Sequence, residues 1–431
     1  MHCLVVDAYS SGRFLPAALA AHGVTTIHID SAPGIGDRLL RTPFPAEAVA
    51  DRFTYEGDLD ALITAVLPYA PARVLPGNET GVDLADALSA RLGLPGNVID
   101  GRRVRRDKYE MARAVRAHGL RAPDTLRTHR FDTALAWARA HGRWPVVVKP
   151  ADSAGTDNVF FCAGPVELCT AFDHILRSVN FTGARNRTVV VQEHLSGTEY
   201  FANTVSVAGR HHIAEIWRYH KRPGRGGAPV YDYEEPVSAR EPATAALRPY
   251  LLGALDALGI RNGPAHSEIM LTDEGPVLIE TGARLAGSIL PHVVSRCFGT
   301  DHVALTALAC ADPAAFMART DRPAQPRLPL RYVSLISPHG GRLVSLARFD
   351  EVRALPSYAG HHLSVEVGDH LAPTVDSLTS PGICYLVHRD PRQIETDYRR
   401  LRTLEETGLY ETEESGLDEM EALGPDARRP A

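Results

Sequence analysis

The chain has 431 residues and a formal net charge of -6, with 44% hydrophobic and 23% charged residues. This length indicates about two to four domains rather than a single core. The absence of a basic excess argues against nucleic acid as the main partner. The first residues lack the features of a signal peptide, and no window approaches the roughly 18 apolar residues of a membrane span. We therefore expect a cytoplasmic protein with neither nucleic acid nor membrane as a partner.

The cysteines and lysines carry further information. Six cysteines are scattered without paired spacing, which is typical of reduced cytosolic thiols that pack as small hydrophobic residues. Only three of the 46 basic residues are lysine, namely Lys108, Lys149 and Lys221. Because almost all basic residues of the chain are arginine, a position that has lysine instead indicates a site that needs a compact ammonium group. The alternative is that they are leftover surface residues.

The first hundred residues alternate short apolar strands with helices, which predicts a parallel α/β domain over residues 1–100. The turn after the first strand, Ser10-Ser11-Gly12-Arg13, lacks the glycine pattern of a dinucleotide site. This turn and the loop Pro76-Gly77-Asn78-Glu79 are candidates to hold a substrate carboxylate, although plain turn chemistry explains both equally well. The predicted elements are strands at 4–7, 24–29 and 73–76, and helices at 14–22, 58–67 and 80–92.

A lysine leads into a loop of small residues in the next part of the chain. After the predicted helices 107–118 and 133–141, the strand Pro145 to Val148 delivers Lys149 and Pro150, followed by Ala-Asp-Ser-Ala-Gly-Thr at 151–156. Small side chains let backbone N–H groups approach phosphate oxygens, while the lysine supplies a point charge. No Gly-Lys dipeptide exists in the chain, so this is not a Walker A loop.

A second strand, Thr188 to Val191, ends in a segment that can serve a nucleotide. A hinge segment that leaves a strand can offer backbone groups to adenine, and the Glu199 carboxylate can bind two ribose hydroxyls, although this signal is weak alone. Strands near 200–207 and 212–219 follow. The segment from Lys221 to Pro229 is rich in Gly and Pro, which predicts a mobile loop over the substrate.

The stretch 266–288 reads HSEIMLTDEGPVLIETGARLAGS and predicts a β-hairpin. If Thr272 pairs with Pro276, then Glu268 lies opposite Glu280 with Cβ atoms about 5 Å apart. Two carboxylates at that distance repel unless a cation lies between them, which suits Mg²⁺ or Mn²⁺ with nucleotide phosphates completing the shell. Arg284 would place a fixed cation beside this site. The alternative is a surface hairpin with two solvated glutamates.

The pattern changes from about residue 330 onwards. Short β runs at 331–336, 362–367 and 383–387 precede a predicted helix at 391–404, which indicates a small β-rich C-terminal lobe over residues 331–410. Residues 411–431 are rich in acidic residues and poor in aromatics, which predicts a disordered tail.

In this order, the motifs resemble the ATP-grasp superfamily over roughly residues 1–330. The matching pieces are Asp107-Lys108, VVVKPADSAGT at 146–156, VVVQEHLSGTE at 189–199, and the Glu268, Glu280 and Arg284 set, whose spacing is similar to the biotin-carboxylase-like branch. Within it the chain looks most like the bacterial L-amino acid ligases. The resemblance implies a pre-ATP-grasp α/β domain followed by an ATP-grasp domain of two α+β subdomains over residues 101–330.

The resemblance also implies roles for individual residues. Glu268 and Glu280 would hold the metal, and Arg284 would stabilise an acyl phosphate. Gly282 stands where many members of the superfamily place an asparagine metal ligand, so water or phosphate would have to complete the shell. The implied ATP-binding residues are Lys108, Lys149, Ser153, Ala154, Gly155, Thr156, Glu193, Leu195 and Glu199, and the implied catalytic residues are Arg284, Glu280, Glu268 and Lys149.

The predicted reaction is the ATP-dependent joining of an amino acid to the amine of a second one, which gives a dipeptide, ADP and phosphate. His266 is a candidate base, although a packed strand histidine explains it as well. One alternative is loading of a carboxylate onto a carrier-protein thiol, or carboxylation of a small metabolite. Another is a regulatory ATP-binding module without turnover. The enzyme would act on small-molecule amino acids, with a homodimer as one option for its assembly, and with substrate contacts from His266, Lys221, Arg284, Gly287 and Ser288.

Overall fold

A computed structural model describes residues 1–36, 44–101, 103–153, 155–180, 183–224, 229–319 and 325–413. Contacts divide the chain into two compact units. One comprises Met1–Tyr219 with Glu235–Arg327, and the other comprises His220–Glu234 with Leu328–Ala431. Our finer division at residues 100, 330 and 410 stays a prediction.

The first unit begins with the predicted parallel sheet, whose strand order is β3-β2-β1-β4. In the internal strand β1, Cys3 and Val5 pack on one face and Leu4 and Val6 on the other, so both faces of the sheet are buried. This explains the unbroken apolar run at the start of the chain. The elements are β1 (His2–Val6), α1 (Leu15–Ala20), β2 (Thr25–Asp30), β3 (Asp51–Thr54), α2 (Leu59–Val66), β4 (Pro71–Pro76) and α3 (Val82–Arg91).

Some details of this sheet differ from the prediction. Strand β3 was missed because its sequence, DRFT, has no apolar run. The helices α1 and α3 are shorter than predicted, because 3-10 turns at Ser10–Phe14 and Glu79–Gly81 precede them. A Cβ atom at Gly12 would collide with the backbone of Gly77. Glycine at these positions therefore lets the loops after β1 and β4 touch at the carboxyl edge of the sheet.

The rest of the first unit contains two antiparallel sheets, with strand orders β5-β8-β6-β7 and β13-β12-β9-β10. Valines of β6 and β8 lie in one core under two helices, while α4 and α7 pack against the hairpin β12–β13. The elements along this part of the chain, of which β11 belongs mostly to the second unit, are α4 (Lys108–Ala117), β5 (Thr125–Thr128), α5 (Phe131–His141), β6 (Val146–Pro150), β7 (Phe160–Cys162), α6 (Pro165–Arg177), β8 (Val189–Glu193), β9 (Thr198–Val207), β10 (Arg210–Pro223), β11 (Pro229–Pro236), α7 (Pro242–Ala257), β12 (Gly263–Thr272), β13 (Gly275–Gly282), α8 (Pro291–Phe298), α9 (His302–Ala311) and α10 (Pro313–Met317).

The hairpin β12–β13 brings Glu268 opposite Glu280, as predicted, but by a different register. Thr272 pairs with Gly275, so the turn has two residues and the strands start one position out of the predicted alignment. A β-bulge between Ile269 and Glu268 inserts one extra residue and restores the alignment. The face-to-face pair of acids is therefore a consequence of the bulge as well as of the turn.

The second unit has strand orders β11-β14-β18-β16 and β17-β15-β19 around a core of its own. One prediction here was wrong, because Glu411–Glu413 forms a strand that pairs with β15 rather than a disordered tail. The remainder of that predicted tail, 414–431, and residues 225–228 of the predicted mobile loop lie outside the described residues. The further elements are β14 (Leu330–Ser334), β15 (Gly341–Ser345), α11 (Phe349–Arg353), β16 (Tyr358–Leu363), β17 (His370–Leu371), β18 (Gly382–Val387), α12 (Pro391–Glu406) and β19 (Glu411–Glu413).

Within the described residues, no helix combines the length and the apolar character needed to cross a bilayer.

Candidate active site

Lys108 occupies an unusual place at the start of helix α4. Asp107 caps the helix by accepting hydrogen bonds from the backbone N–H groups of Tyr109 and Glu110. Lys108 is the first helical residue and is only 7% exposed, although a cation at a helix N-terminus is electrostatically unfavourable. Its Nζ donates to the carbonyl oxygen of Ser153 at 2.6 Å and lies 3.0 Å from Glu280 Oε2. The lysine thus joins the small-residue loop to the hairpin.

Lys149 lies at the end of strand β6 and is 5% exposed. Burial and the neighbouring charge of Lys108 lower the pKa of its ammonium group to about 8, whereas the acids Glu280, Glu268 and Glu199 act in the opposite direction. Charges affect one another in this way only at short range. The structure therefore brings two predicted lysines and three predicted acids into one space.

Glu268 and Glu280 are partly buried, with side chains 19% and 20% exposed. Tyr219 Oη donates to Glu268 Oε1 at 3.2 Å, and His266 Nε2 lies 3.6 Å from the same oxygen. The described residues contain no group of three or more His, Cys, Asp or Glu side chains that could hold a metal ion. Separately, a facing pair of carboxylates is a donor set that Mg²⁺ accepts when phosphate and water supply the other ligands.

The small-residue loop between β6 and β7 is held from both sides. Ser153 is buried and its Oγ donates to Asp157 at 2.5 Å. Asp152 accepts a hydrogen bond from Arg106 at 2.6 Å and lies 2.8 Å from Arg103. Gly155 has a φ of +65°, a conformation that favours glycine. The predicted loop residue Ala154 lies outside the described residues.

The predicted adenine and ribose residues follow strand β8. Glu193 ends that strand, and its N–H donates to the carbonyl of Asp124 at 2.9 Å. Leu195 is half-buried in the connection to β9. Glu199 is the second residue of β9 and pairs in register with Met270 of the hairpin. The segment thus runs directly beside the strand that carries Glu268.

Arg284 follows the hairpin and is anchored by the N-terminal sheet. Its Nε lies 2.8 Å from Oε2 of Glu79, and its Nη1 donates to the carbonyl of Leu285 at 3.0 Å. The other carboxylate oxygen of Glu79 accepts a hydrogen bond from Arg106. The loop 76–79, one candidate for holding a substrate carboxylate, therefore contributes a carboxylate that is itself paired with two arginines.

His266 belongs to a buried polar chain that the sequence analysis missed. Its Nδ1 donates to Asn203 Oδ1 at 2.9 Å, and Asn203 Nδ2 donates to Glu215 Oε1 at 2.8 Å. Burial raises the pKa of the Glu215 carboxyl to about 8. Asn203 and Glu215 interrupt the apolar strands β9 and β10, a signal that could have identified them.

The remaining predicted substrate residues lie in different places. Ser288 has a φ of +53°, and the next N–H, of Ile289, donates to Ser11 Oγ at 3.3 Å. A Cβ atom at Gly287 would meet nothing within 4 Å. Lys221 belongs to the second unit, where its Nζ lies 4.4 Å from the centre of the Tyr231 ring.

His302 ties the loop after Arg284 to strand β9, and this contact makes a testable prediction. Its Nε2 donates to the carbonyl of Thr204 at 3.0 Å, and its Nδ1 accepts from the N–H of Ala286. Burial lowers the pKa of His302 from 6.5 to about 3. Below pH 6.5 the His302 side chain therefore binds a proton in the unfolded chain but not in the folded protein. The free energy of unfolding falls as the pH drops from 6.5 towards 3.

We expect the free energy of unfolding to fall by about 1.4 kcal/mol per pH unit below pH 6.5. Urea unfolding at pH 6.5 and pH 5 measures this change. His302→Gln should remove this part of the pH dependence, while substitution of the exposed His22 should leave it unchanged. An unaltered slope in the His302 variant would show that the group is not buried in its neutral form.

Two antiparallel sheets that enclose buried lysines, with a pair of acids on the adjoining hairpin, are the arrangement of an ATP-grasp enzyme. The ATP-grasp domain family model matches residues 142–292. The chain is 32% identical over 412 residues to dapdiamide A synthase from Enterobacter agglomerans, across 93% of this chain and 95% of that protein. The protein therefore belongs to the ATP-grasp family of ligases, which form carbon–nitrogen bonds and release ADP.

Solved structures agree with this fold. An L-amino acid ligase from Bacillus licheniformis superposes with a TM-score of 0.73 at 19% identity, over 93% of this chain and 97% of that one. The biotin carboxylase domain of 2-oxoglutarate carboxylase from Hydrogenobacter thermophilus, solved with MgADP and bicarbonate, has a TM-score of 0.63 at 13% identity, over 95% and 90% of the two chains. The fold class and the family resemblance predicted from sequence are thus confirmed.

Proposed function

We propose that this protein is a ligase that activates the carboxylate of one amino acid with ATP and joins it to the amine of a second, giving a dipeptide, ADP and phosphate. The observation that carries the proposal is the convergence of Lys108, Lys149, Glu268 and Glu280, with Arg284 anchored nearby. Similarity over nearly the whole length to dapdiamide A synthase supports an amide-forming reaction.

The chemistry requires activation because hydroxide is a poor leaving group from a carboxylate. A carboxylate oxygen attacks the γ-phosphorus of ATP, which forms an acyl phosphate and releases ADP. The amine nitrogen then attacks the acyl carbon, phosphate leaves, and the nitrogen loses a proton. The protein contributes positioning and charge neutralisation in both steps.

Each charged residue has a place in this scheme. Lys108 and Lys149 bind phosphate oxygens, and backbone N–H groups of the loop that includes Ser153, Gly155 and Thr156 approach the same anion. The connection from Glu193 to Leu195 meets adenine. Glu199 accepts hydrogen bonds from the ribose hydroxyls.

Glu268 and Glu280 would hold Mg²⁺ or Mn²⁺, which when bound neutralises negative charge on the phosphates. Arg284 faces the charge of the acyl phosphate. The hydrogen bond from His266 Nδ1 to Asn203 leaves Nε2 able to accept the proton of the amine. Gly287 and Ser288 complete the candidate substrate contacts, and we propose a cytoplasmic enzyme that can form a homodimer.

A matrix of amino-acid pairs tests the function. We expect ATP-dependent phosphate release only when an acid and an amine substrate are both present, with one dipeptide per phosphate by mass spectrometry. Phosphate release that requires a carrier-protein thiol or bicarbonate instead would replace the proposal with the corresponding alternative. Nucleotide binding without turnover under all these conditions would indicate a regulatory module.

A further inference from the structure

A chain of alternating charges runs from Arg284 to the small-residue loop. Arg284 contacts Glu79, Glu79 contacts Arg106, and Arg106 donates to Asp152. Glu79 is 8% exposed, and burial alone would raise the pKa of its carboxyl. The charges of Arg106 and Arg284 reverse this effect and lower it, so the carboxylate stays ionised.

The position of Glu79 explains the glycine at 282. A Cβ atom at Gly282 would lie 2.7 Å from Glu79 Oε2 and 3.0 Å from Arg284 Cζ. The first distance is too short for a side chain to fit without moving the Glu79 carboxylate, and the second is a tight contact with the guanidinium. The space that an asparagine side chain would fill at this position is thus occupied by the contact between Glu79 and Arg284.

An ion pair and a hydrogen bond restrict the Arg284 guanidinium. Glu79 Oε2 lies 2.8 Å from Nε as an ion pair without hydrogen-bond geometry, and the carbonyl of Leu285 accepts a hydrogen bond from Nη1. Among the residues that the structure describes, no acceptor is bonded to Nη2. A guanidinium held along one edge presents its remaining nitrogen in a fixed direction, which lowers the entropic cost of binding an anion.

We propose that Glu79 is a positioning residue that holds Arg284 in its productive orientation towards the acyl phosphate, and that glycine at position 282 leaves room for this ion pair, which a side chain there would displace. The inference rests on the proposed function and adds to it a dependence of the chemical step on a residue of the N-terminal sheet. Arg106 ties the same carboxylate to the phosphate-binding loop.

The first test replaces Glu79 with Gln, which keeps the size but loses the charge. We expect kcat for amino-acid-dependent ADP release to fall about 10²-fold, because the arginine is misplaced. The KM for ATP should stay within about twofold of the wild-type value, since the lysines that bind phosphate are untouched. An equal fold-change in kcat and in the KM for ATP would overturn the proposal in favour of a purely structural role for Glu79.

The pair Asp86 and Arg105 provides a matched control. The Arg105 side chain is buried and the Asp86 side chain is 14% exposed; they lie 2.6 Å apart and join helix α3 to the segment that carries Arg106. Asp86→Asn should therefore leave kcat unchanged. A fall in kcat equal to that of Glu79→Gln would show that any broken ion pair here has the same effect.

A double-mutant cycle tests the role of Gly282. Gly282→Ala should lower kcat in the wild-type background, but have no further effect in a Glu79→Ala background, where the carboxylate that it displaces is absent. Equal effects in both backgrounds would contradict the proposal.

A crystal structure of the Gly282→Ala variant separates this inference from the proposed function, because it needs no turnover. We expect Arg284 to have moved away from Glu79. An intact contact in that structure would overturn the inference, whereas a wild-type enzyme that lacks amino-acid-dependent ADP release would overturn only the proposed reaction.

Discussion

Glu280→Gln is expected to lower kcat for ATP-dependent ligation about 10³-fold, the loss typical of removing one group that stabilises developing charge. Glu280 faces Glu268 across the hairpin and lies 3.0 Å from the ammonium of Lys108. A neutral amide would weaken the binding of a divalent cation and remove the partner of the lysine at the same time. Steady-state kinetics over a range of Mg²⁺ concentrations measure the effect.

Glu274→Gln is the matched control for this substitution. Glu274 lies in the turn of the same hairpin, is largely exposed, and pairs with Arg121 at 2.9 Å. We expect its kcat to stay close to that of the wild type. If Glu280→Gln retained full activity, the two facing acids would not be the metal site and the ligase mechanism would need another one.

Lys149→Met is expected to abolish ligation while making the protein more stable in the absence of nucleotide. Burial lowers the pKa of Lys149 from 10.5 to about 8. The charged form of Lys149 is therefore less favourable in the folded protein than in the unfolded chain. This lowers the free energy of unfolding by its full amount below pH 8. The effect disappears as the pH rises from 8 through 10.5, because only the unfolded chain binds the proton in that interval.

We expect Lys149→Met to raise the free energy of unfolding at pH 7 by about 3 kcal/mol, because folding lowers the pKa of Lys149 from 10.5 to about 8. Urea unfolding of the wild type and of Lys149→Met at pH 7 measures it. The gain should shrink when the same comparison is made near pH 10. A variant that is less stable at both pH values would show that the lysine contributes to folding rather than to the binding of phosphate.

The hairpin β12–β13 shows which structural features a local sequence pattern predicts and which it does not. The facing of Glu268 and Glu280 followed from two apolar runs around a turn, and the structure confirms it. The predicted pairing of Thr272 with Pro276 was wrong by one residue, and the bulge next to Ile269 corrected the alignment. A bulge depends on how a strand twists against its neighbours, which the local pattern does not contain.

By itself, the sequence determined the alternation of strands and helices in the N-terminal sheet apart from β3, the two lysines of the candidate site and the opposed acids, because hydrophobic periodicity and turn residues act over short stretches of chain. Only the tertiary structure decided that Glu79 pairs with Arg284, about two hundred residues away, and that Gly282 leaves room for that pair. Such contacts depend on how the N-terminal sheet meets the hairpin. Packing between distant segments, rather than any local propensity, therefore sets the direction of the arginine.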